Sequence, residues 1–275
     1  MGSGNTGKAI AFIGGGNMAS AIIGGLVREG MAPADIEVVE PFADARERLH
    51  AQLGVQARES SSEALRRAGL VLWAVKPQSF REAAEAAAPF VASALHLSVA
   101  AGIRSGSVAD WLGTQRIVRA MPNTPALVGK GMTALFAREG VGEPDQQWVE
   151  QVIATTGEFL WVDAEADLDA VTALSGSGPA YVFFFLEAMT QAGVEMGLAR
   201  EQAYRLAVAT FAGASELART SVDPPEVLRQ RVTSKGGTTH AAITSMEQAG
   251  VKAQFIKALH AARARATELG DEFGK

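Results

Sequence analysis

The sequence predicts an α/β chain: an N-terminal doubly wound sheet followed by an all-α domain. Three observations carry this. Short apolar runs alternate with helical patterns over residues 8 to 162. A glycine-rich turn separates the first such run from the first helix. From Ala164 onward the pattern is Ala-rich and helical throughout. Strand–helix alternation of this kind implies parallel strands joined by crossover helices.

The elements follow in order. Lys8 to Ile13 is a short apolar run suited to a buried parallel strand. Asn17 to Glu29 has helical apolar spacing and is closed by Gly30. "IEVVE" (36–40) is a second strand, and "ADARERLHAQLG" a charged helix ending at Gly54. "GLVLWAV" (69–75) is a third strand, and Pro77 starts a helix running to about Pro89. "ALHLSVAAG", "RIVRAMPN" and "GMTALFA" supply further strands. "EPDQQWVEQVIATTG" is a helix and "EFLWV" the last strand. The later helices break at Gly178-Pro179, Gly197, Pro224-Pro225, Gly236-Gly237 and Gly250. The expected division is 1–163 for a dinucleotide-binding domain and 164–275 for a helical domain that carries substrate and dimerisation surfaces. The opening "MGSGNTGK" reads as a flexible leader, without the apolar core of a signal peptide.

Composition narrows the function. A net charge of −5 with no block of like charges argues against nucleic acid or an anionic membrane as partner. The chain has no cysteine, which excludes disulfides and thiolate metal sites. His50, His96, His240 and His260 lack metal-ligand spacing, so no metal is expected. "PAYVFFFLEAM" (179–189) is the most apolar segment, but Glu187 interrupts it well short of the ~20 residues of a membrane span. It reads as a buried helix, and the protein as cytoplasmic. Being apolar on all sides, this helix suits burial against another subunit, as do the apolar stripes of "EQAYRLAVATFAGASELA" and "KAQFIKALHAARARATEL".

The glycine turn reads Gly14-x-Gly16-x-x-Ala19, directly after a strand and opening a helix. The first glycine allows the tight turn, the second lets backbone approach a pyrophosphate, and the small third residue packs helix on strand. The helix N-terminus offers N–H groups to the phosphates. The bland alternative is a plain tight turn. Glu40 ends the second strand, where an acidic residue accepts from a ribose 2′-OH and points toward NAD. Arg46 and Arg48 lie within two turns and are alternatives for a 2′-phosphate, so the preference stays open. "WAVKPQ" places Lys76 at a carboxyl edge as a base or phosphate partner, with Pro77 an ordinary first helical residue. "MPNTPALVG" (121–129) is a stiff loop that either walls a nicotinamide or merely crosses over.

"FIGGGNMASAIIGGL", "WAVKPQ", "SVAAGI", "RAMPNTPALVGKGMTAL", "LSGSGPAYVFFFLEAM" and "VTSKGGTTHAAI" occur in this order. Together they resemble pyrroline-5-carboxylate reductases over residues 8 to 270. The resemblance implies a Rossmann-like domain followed by an all-α dimerisation domain, a homodimer that in many members builds a decamer of five dimers, and reduction of L-1-pyrroline-5-carboxylate to L-proline by NADPH or NADH, the last step of proline biosynthesis. It implies that Gly14, Gly16, Asn17 and Met18 contact the cofactor phosphates. It places Ala74, Lys76 and Pro77 on the nicotinamide side, with Asn123 and Pro125 in the adjoining loop. Thr233, Ser234, Gly236, Gly237, Thr238 and Thr239 form the implied substrate loop, with Thr239 at the imine nitrogen. Two departures from the family pattern stand out. Lys235 replaces a usual proline, and Glu40 stands where many members carry a neutral or basic residue, so NADH is expected to serve at a rate near that of NADPH.

The chemistry suits a loop without Cys or carboxylate. A Gly-Gly turn opening a helix cradles the substrate carboxylate. The cyclic imine takes a proton from water, so positioning is the main demand. His240 lies about 100° round the helix from Thr239 and is not expected to face the same ligand. Two rivals remain: a two-domain hydroxyacid dehydrogenase, and a non-catalytic NAD(P)-binding protein. The first needs a lysine on the helix after the "GSG" turn, which "AYVFFFLEAM" lacks.

Overall fold

The computed structural model describes residues 9–273; the leader and Lys8 lie outside them. The chain forms two units, residues 1–177 with 262–275, and residues 178–261.

The first unit is built on an eight-stranded sheet. Its strands are β1 (Ala9–Ile13), β2 (Ile36–Val39), β3 (Ala57–Arg58), β4 (Ala68–Trp73), β5 (Leu95–Ser98), β6 (Ile117–Met121), β7 (Gly131–Ala137) and β8 (Gly157–Trp161). They lie in the order β3-β2-β1-β4-β5-β6-β7-β8. Around them run α1 (Asn17–Arg28), α2 (Ala43–Leu53), α3 (Pro77–Val91), α4 (Ser105–Leu112) and α5 (Glu143–Ala154). β1 sits between β2 and β4, with Ile10 paired to Ile36 on one side and Leu70 on the other. This strand order places the sheet's switch point beside β1.

Alternation along the strands explains the two-sided core. Ile10, Phe12, Leu70 and Leu72 pack on one face with Ile22, Ile23 and Leu49, from α1 and α2, and Val149 and Val152 from α5. Ala11, Ile13, Val71 and Trp73 pack on the other with Phe80 and Ala84 of α3 and Val108 of α4. Both faces are covered, so the strands read as continuous apolar runs. Each large side chain buried in this way contributes about 1.5–3 kcal/mol.

Three features depart from the sequence reading. β7 runs antiparallel to β6, because the short loop between them holds no crossover helix. α4 and the two-residue β3 carry too little periodicity to stand out. The division expected at residue 163 differs from the spatial units. α6 (Asp167–Val171) and the π-helical turn Thr172–Gly176 stay with the first unit. The last turns of α11 (Val251–Phe273) return to it, Leu269 meeting Gly102 and Arg104 bridging Asp169 and Asp271.

The second unit is helical: α7 (Gly178–Glu195), α8 (Arg200–Thr220), α9 (Pro225–Arg231), α10 (Thr238–Gln248) and the first part of α11. The glycines and prolines noted in the sequence stand at its breaks. α7 and α8 approach closely at Gly193, where a Cβ would lie 2.6 Å from that of Ala203. Few side chains of this unit are buried; Phe183, Phe184, Met196 and Leu206 are exposed. No described helix is long and apolar enough to cross a membrane.

Candidate active site

The first set of candidate residues lies at the carboxyl edge of β1, β2, β4 and β6. Gly14 has φ +96°, its N–H donates to the Val39 carbonyl (2.8 Å), and a Cβ there would stand 2.6 Å from the Ala74 carbonyl oxygen. Only glycine fits. Gly14 is buried with its N–H engaged, so it shapes the tight turn as the sequence predicted, and its own N–H is taken by Val39. Gly16 caps α1 without a side-chain hydrogen bond and is exposed, with nothing within 4 Å of a would-be Cβ. Asn17 is exposed and Met18 half-buried. The opening turn of α1 thus offers backbone N–H groups and clear space, which fits a dinucleotide pyrophosphate.

Glu40 is held by the backbone around it. It is buried, with Oε2 accepting from the Gly15 N–H (2.7 Å) and Oε1 from the Phe42 N–H (2.9 Å). The Arg46 guanidinium donates to the carbonyls of Glu40 (2.9 Å) and Pro41 (2.7 Å), so it is turned into the protein. Across the sheet, Ala74 donates its N–H to the Ile13 carbonyl (2.8 Å), Lys76 caps α3 with its side chain exposed, and Pro77 is the first helical residue.

Asn123 is a tie. Its Nδ2 donates to the carbonyl and hydroxyl of Ser175, and its Oδ1 accepts from the Met132 N–H (2.9 Å). It joins the β6–β7 loop to the π-helical turn at 172–176, while Pro125 opens the 3-10 turn Thr124–Val128. A π-turn is a local cue that functional sites often carry, and no sequence signal announced it. The reading also missed a polar hub in the same unit. Glu165 accepts from the N–H and hydroxyl of Ser105 and pairs with buried Arg119 (3.1 Å). Burial draws the Arg119 pKa down, opposed by Glu165. An arginine inside the apolar run "RIVRAM" was the available signal.

The second set lies on the turn between α9 and α10. The Thr233 hydroxyl donates to the Arg229 carbonyl (2.6 Å), closing α9, so this side chain is already engaged. Gly236 has φ +77° and the Gly237 N–H donates to the Ser234 carbonyl (3.0 Å). Gly237 caps α10 with no side-chain hydrogen bond. Ser234, Lys235, Gly236, Thr238 and His240 are exposed, and Thr239 is half-buried in the first turn. The turn leaves an open helix N-terminus beside three hydroxyl groups, Ser234, Thr238 and Thr239, and one cation.

Comparison with known proteins covers both parts of the chain. A family model for pyrroline-5-carboxylate reductase dimerisation matches residues 165–269, and one described as NADP oxidoreductase coenzyme F420-dependent matches residues 9–102. The pyrroline-5-carboxylate reductase of Pseudomonas aeruginosa is 44% identical over 97% of this chain and 98% of its own length. That of Escherichia coli is 39% identical over 92% and 94%. Among solved structures, a pyrroline-5-carboxylate reductase from Coxiella burnetii matches with a TM-score of 0.89 at 38% identity, covering 96% of this chain and 99% of that one. The Plasmodium falciparum enzyme with NADP bound matches at 0.86 and 29%, covering 97% and 100%. The chain, matched along nearly its whole length, belongs to the pyrroline-5-carboxylate reductase family.

Proposed function

We propose that the protein reduces L-1-pyrroline-5-carboxylate to L-proline, the last step of proline biosynthesis. The observation that carries this is family likeness along nearly the whole chain, at 44% identity to one such reductase. NADPH or NADH supplies the hydride when bound. The open turn at Gly16, Asn17 and Met18 holds its pyrophosphate by backbone N–H groups, with Gly14 setting the turn. Ala74, Lys76 and Pro77 border the nicotinamide side. Asn123 and Pro125 fix the neighbouring loop.

The Gly236-Gly237 turn and the N-terminus of α10 hold the substrate carboxylate, helped by the helix dipole. Ser234 and Thr238 border this cradle, and Thr233 fixes its approach by closing α9. The imine nitrogen takes a proton from water. The Thr239 hydroxyl then orients the protonated ring so that its carbon faces the hydride, which is work done by positioning. The C=N double bond becomes a C–N single bond as the carbon gains the hydride and the nitrogen keeps the proton taken from water, and no side chain changes its charge.

The chain carries the family's dimerisation domain, and the exposed apolar side chains of α7 and α8 suit that role. A decamer of five dimers and a cytoplasmic location complete the proposal. The hydroxyacid dehydrogenase reading is not favoured, since α7 carries no lysine. The test is oxidation of NADH and NADPH with pyrroline-5-carboxylate, followed by absorbance, and in parallel reduction of NAD+ and NADP+ with 3-hydroxy acids. Turnover of the cyclic imine alone supports the reading. Turnover of hydroxy acids alone, or of nothing, overturns it.

A further inference from the structure

The chain leaves the first unit after Ser177 and returns to it at Ala262. The segments beside these two crossings are joined by a charged network that the reaction does not use. Asp169 of α6, buried, accepts from the Thr267 hydroxyl of α11 (2.9 Å) and lies 3.6 Å from the Arg104 guanidinium. The other acceptor near that hydroxyl, the Arg263 carbonyl, is more distant (3.3 Å). Arg104 also reaches Asp271 of α11 (3.4 Å). We infer that Asp169 is a positioning residue for the reduction: with Thr267 and Arg104 it clamps the outgoing and the returning segment to one point of the first unit. This rests on the reductase reading proposed above.

Both segments are fitted to this point. Gly270 of α11 is buried, and a Cβ there would lie 2.8 Å from Nη2 of Arg104, so the missing side chain gives the planar guanidinium its place. On the outgoing side, Glu165 takes the N–H and hydroxyl of Ser105 (2.6 and 2.7 Å) and the buried Arg119 of β6 (3.1 Å). A few residues on, a Cβ at Gly176 would lie 2.5 Å from Cε of Met121, and Ser175 is held by Asn123. The outgoing segment is thus tied to the end of β6, where the loop on the proposed nicotinamide side begins.

Buried charges pay for desolvation, so a paired network adds little net stability. What it supplies is geometry. A unit carried on two chain segments can swing about them unless both are held to the same body. Hydride transfer depends on the distance between two carbons, and a misplacement of about 1 Å can cost about a hundredfold. Arg116 and Asp145 give a contrast within the same unit. They form a bidentate pair (2.7 and 2.6 Å) that joins α5 to the residue before β6.

The test compares Asp169→Ala, Thr267→Val, Thr267→Ser and Asp145→Ala in the whole protein, below their melting temperatures. The readouts are kcat, the Kd for NADH, the melting temperature, and the deuterium isotope effect on kcat with NADH labelled at the transferred position. Asp169→Ala should lower kcat about tenfold or more and Thr267→Val about threefold or more, with the Kd for NADH within about twofold of the parent. The isotope effect should stay at or rise above that of the parent. Thr267→Ser keeps the hydroxyl and should keep the parent kcat. Asp145→Ala should melt earlier with kcat unchanged. Early melting of Asp169→Ala and Thr267→Val with the parent kcat makes the network a structural staple and overturns the inference. So does a loss that falls on NADH affinity, a fall in kcat in which the isotope effect disappears, or an equal fall in Asp145→Ala. A parent that does not turn over pyrroline-5-carboxylate overturns the reductase reading itself, and the inference with it. Should Asp169→Ala not fold, the two Thr267 variants decide.

Discussion

Asn123 and Ser175 are joined twice, the Asn123 amide nitrogen lying 3.3 Å from the Ser175 carbonyl oxygen and 3.2 Å from its hydroxyl. The third contact, from the Met132 N–H, is on the other end of the same amide. Asn123→Ala removes all three, and leaving part-buried groups unpaired costs about 1–3 kcal/mol. Urea unfolding should show this loss. Asn123→Asp keeps the acceptor for Met132 but loses the donor, so it should fall between. A stability unchanged in Asn123→Ala would remove the tie from the account.

Thr239→Val keeps the β-branch and deletes the hydroxyl. A hydrogen bond to a charged partner is worth about 1.5–3 kcal/mol, so kcat/KM should drop about ten- to a hundredfold. kcat should share the loss, and the Kd for NAD(P)H should stay put. His240→Ala should cost less. Thr233→Val acts elsewhere: its hydroxyl closes α9, so it should lower stability by about 1 kcal/mol through the lost hydrogen bond. Steady-state kinetics beside thermal melts separates the three.

Gly14 and Gly16 should respond differently to alanine. At Gly14 the new Cβ meets the Ala74 carbonyl at 2.6 Å in a left-handed backbone, so Gly14→Ala should express poorly or melt early. At Gly16 φ is −72° and the space is open, so Gly16→Ala should fold normally. It should nonetheless weaken cofactor binding about tenfold or more, because the methyl occupies the place of the pyrophosphate. A Gly16→Ala protein that binds NAD(P)H as the parent does would exclude this turn from the phosphate site.

His96 makes stability depend on pH. It is fully buried, and the Trp73 N–H donates to its Nδ1 (3.2 Å), which leaves the proton on Nε2, where no hydrogen-bond partner stands. Burial, with the Arg116 charge adding to it and the Val91 backbone opposing, lowers the pKa from 6.5 to about 4. The unfolded chain therefore binds the proton first. Stability is full above pH 6.5 and declines as pH falls toward 4, by about 3 kcal/mol in all. Unfolding midpoints at pH 7 and pH 4.5 measure it, and His96→Gln should flatten the difference.

Phe184 tests the assembly. It is 67% exposed on α7, an area too apolar to leave in water. Phe184→Asp should cost association about 2 kcal/mol or more if the ring is central to the interface. Light scattering at micromolar concentration should show the parent as a dimer or larger, and the variant partly monomeric. A parent that is monomeric and active contradicts the dimer.

The sequence was most legible where one pattern dominates. β1, β2 and β4 are apolar runs covered on both faces, and Gly14, Gly54 and Pro77 punctuate them at the positions that backbone geometry demands. It was least legible where a partner distant in the chain decides. Glu40 reads only as a ribose ligand in the sequence, and the N–H of Gly15, twenty-five residues earlier, adds a bond that the sequence does not announce. Asn123 reads as a loop residue until Ser175 arrives from fifty-two residues away. Thr233 belongs to the implied substrate loop by motif, and only the fold shows that its hydroxyl also donates to the Arg229 carbonyl. The antiparallel β7 has the same cause, since periodicity reports a strand's faces but not its direction.

α1 and α10 both begin at a glycine without a side-chain cap. Ser, Thr, Asp or Asn is preferred there, and glycine in its place costs only a few tenths of a kcal/mol, about 0.3. α2, α3, α4, α5 and α9 also lack a side-chain cap, so what sets α1 and α10 apart is their place in the proposed cofactor and substrate sites. On the proposed function, cofactor phosphates finish one and a substrate carboxylate the other, so each ligand should raise the melting temperature in step with its own saturation. On the proposed reading, a capping side chain placed at either turn would compete with the ligand for the same N–H groups.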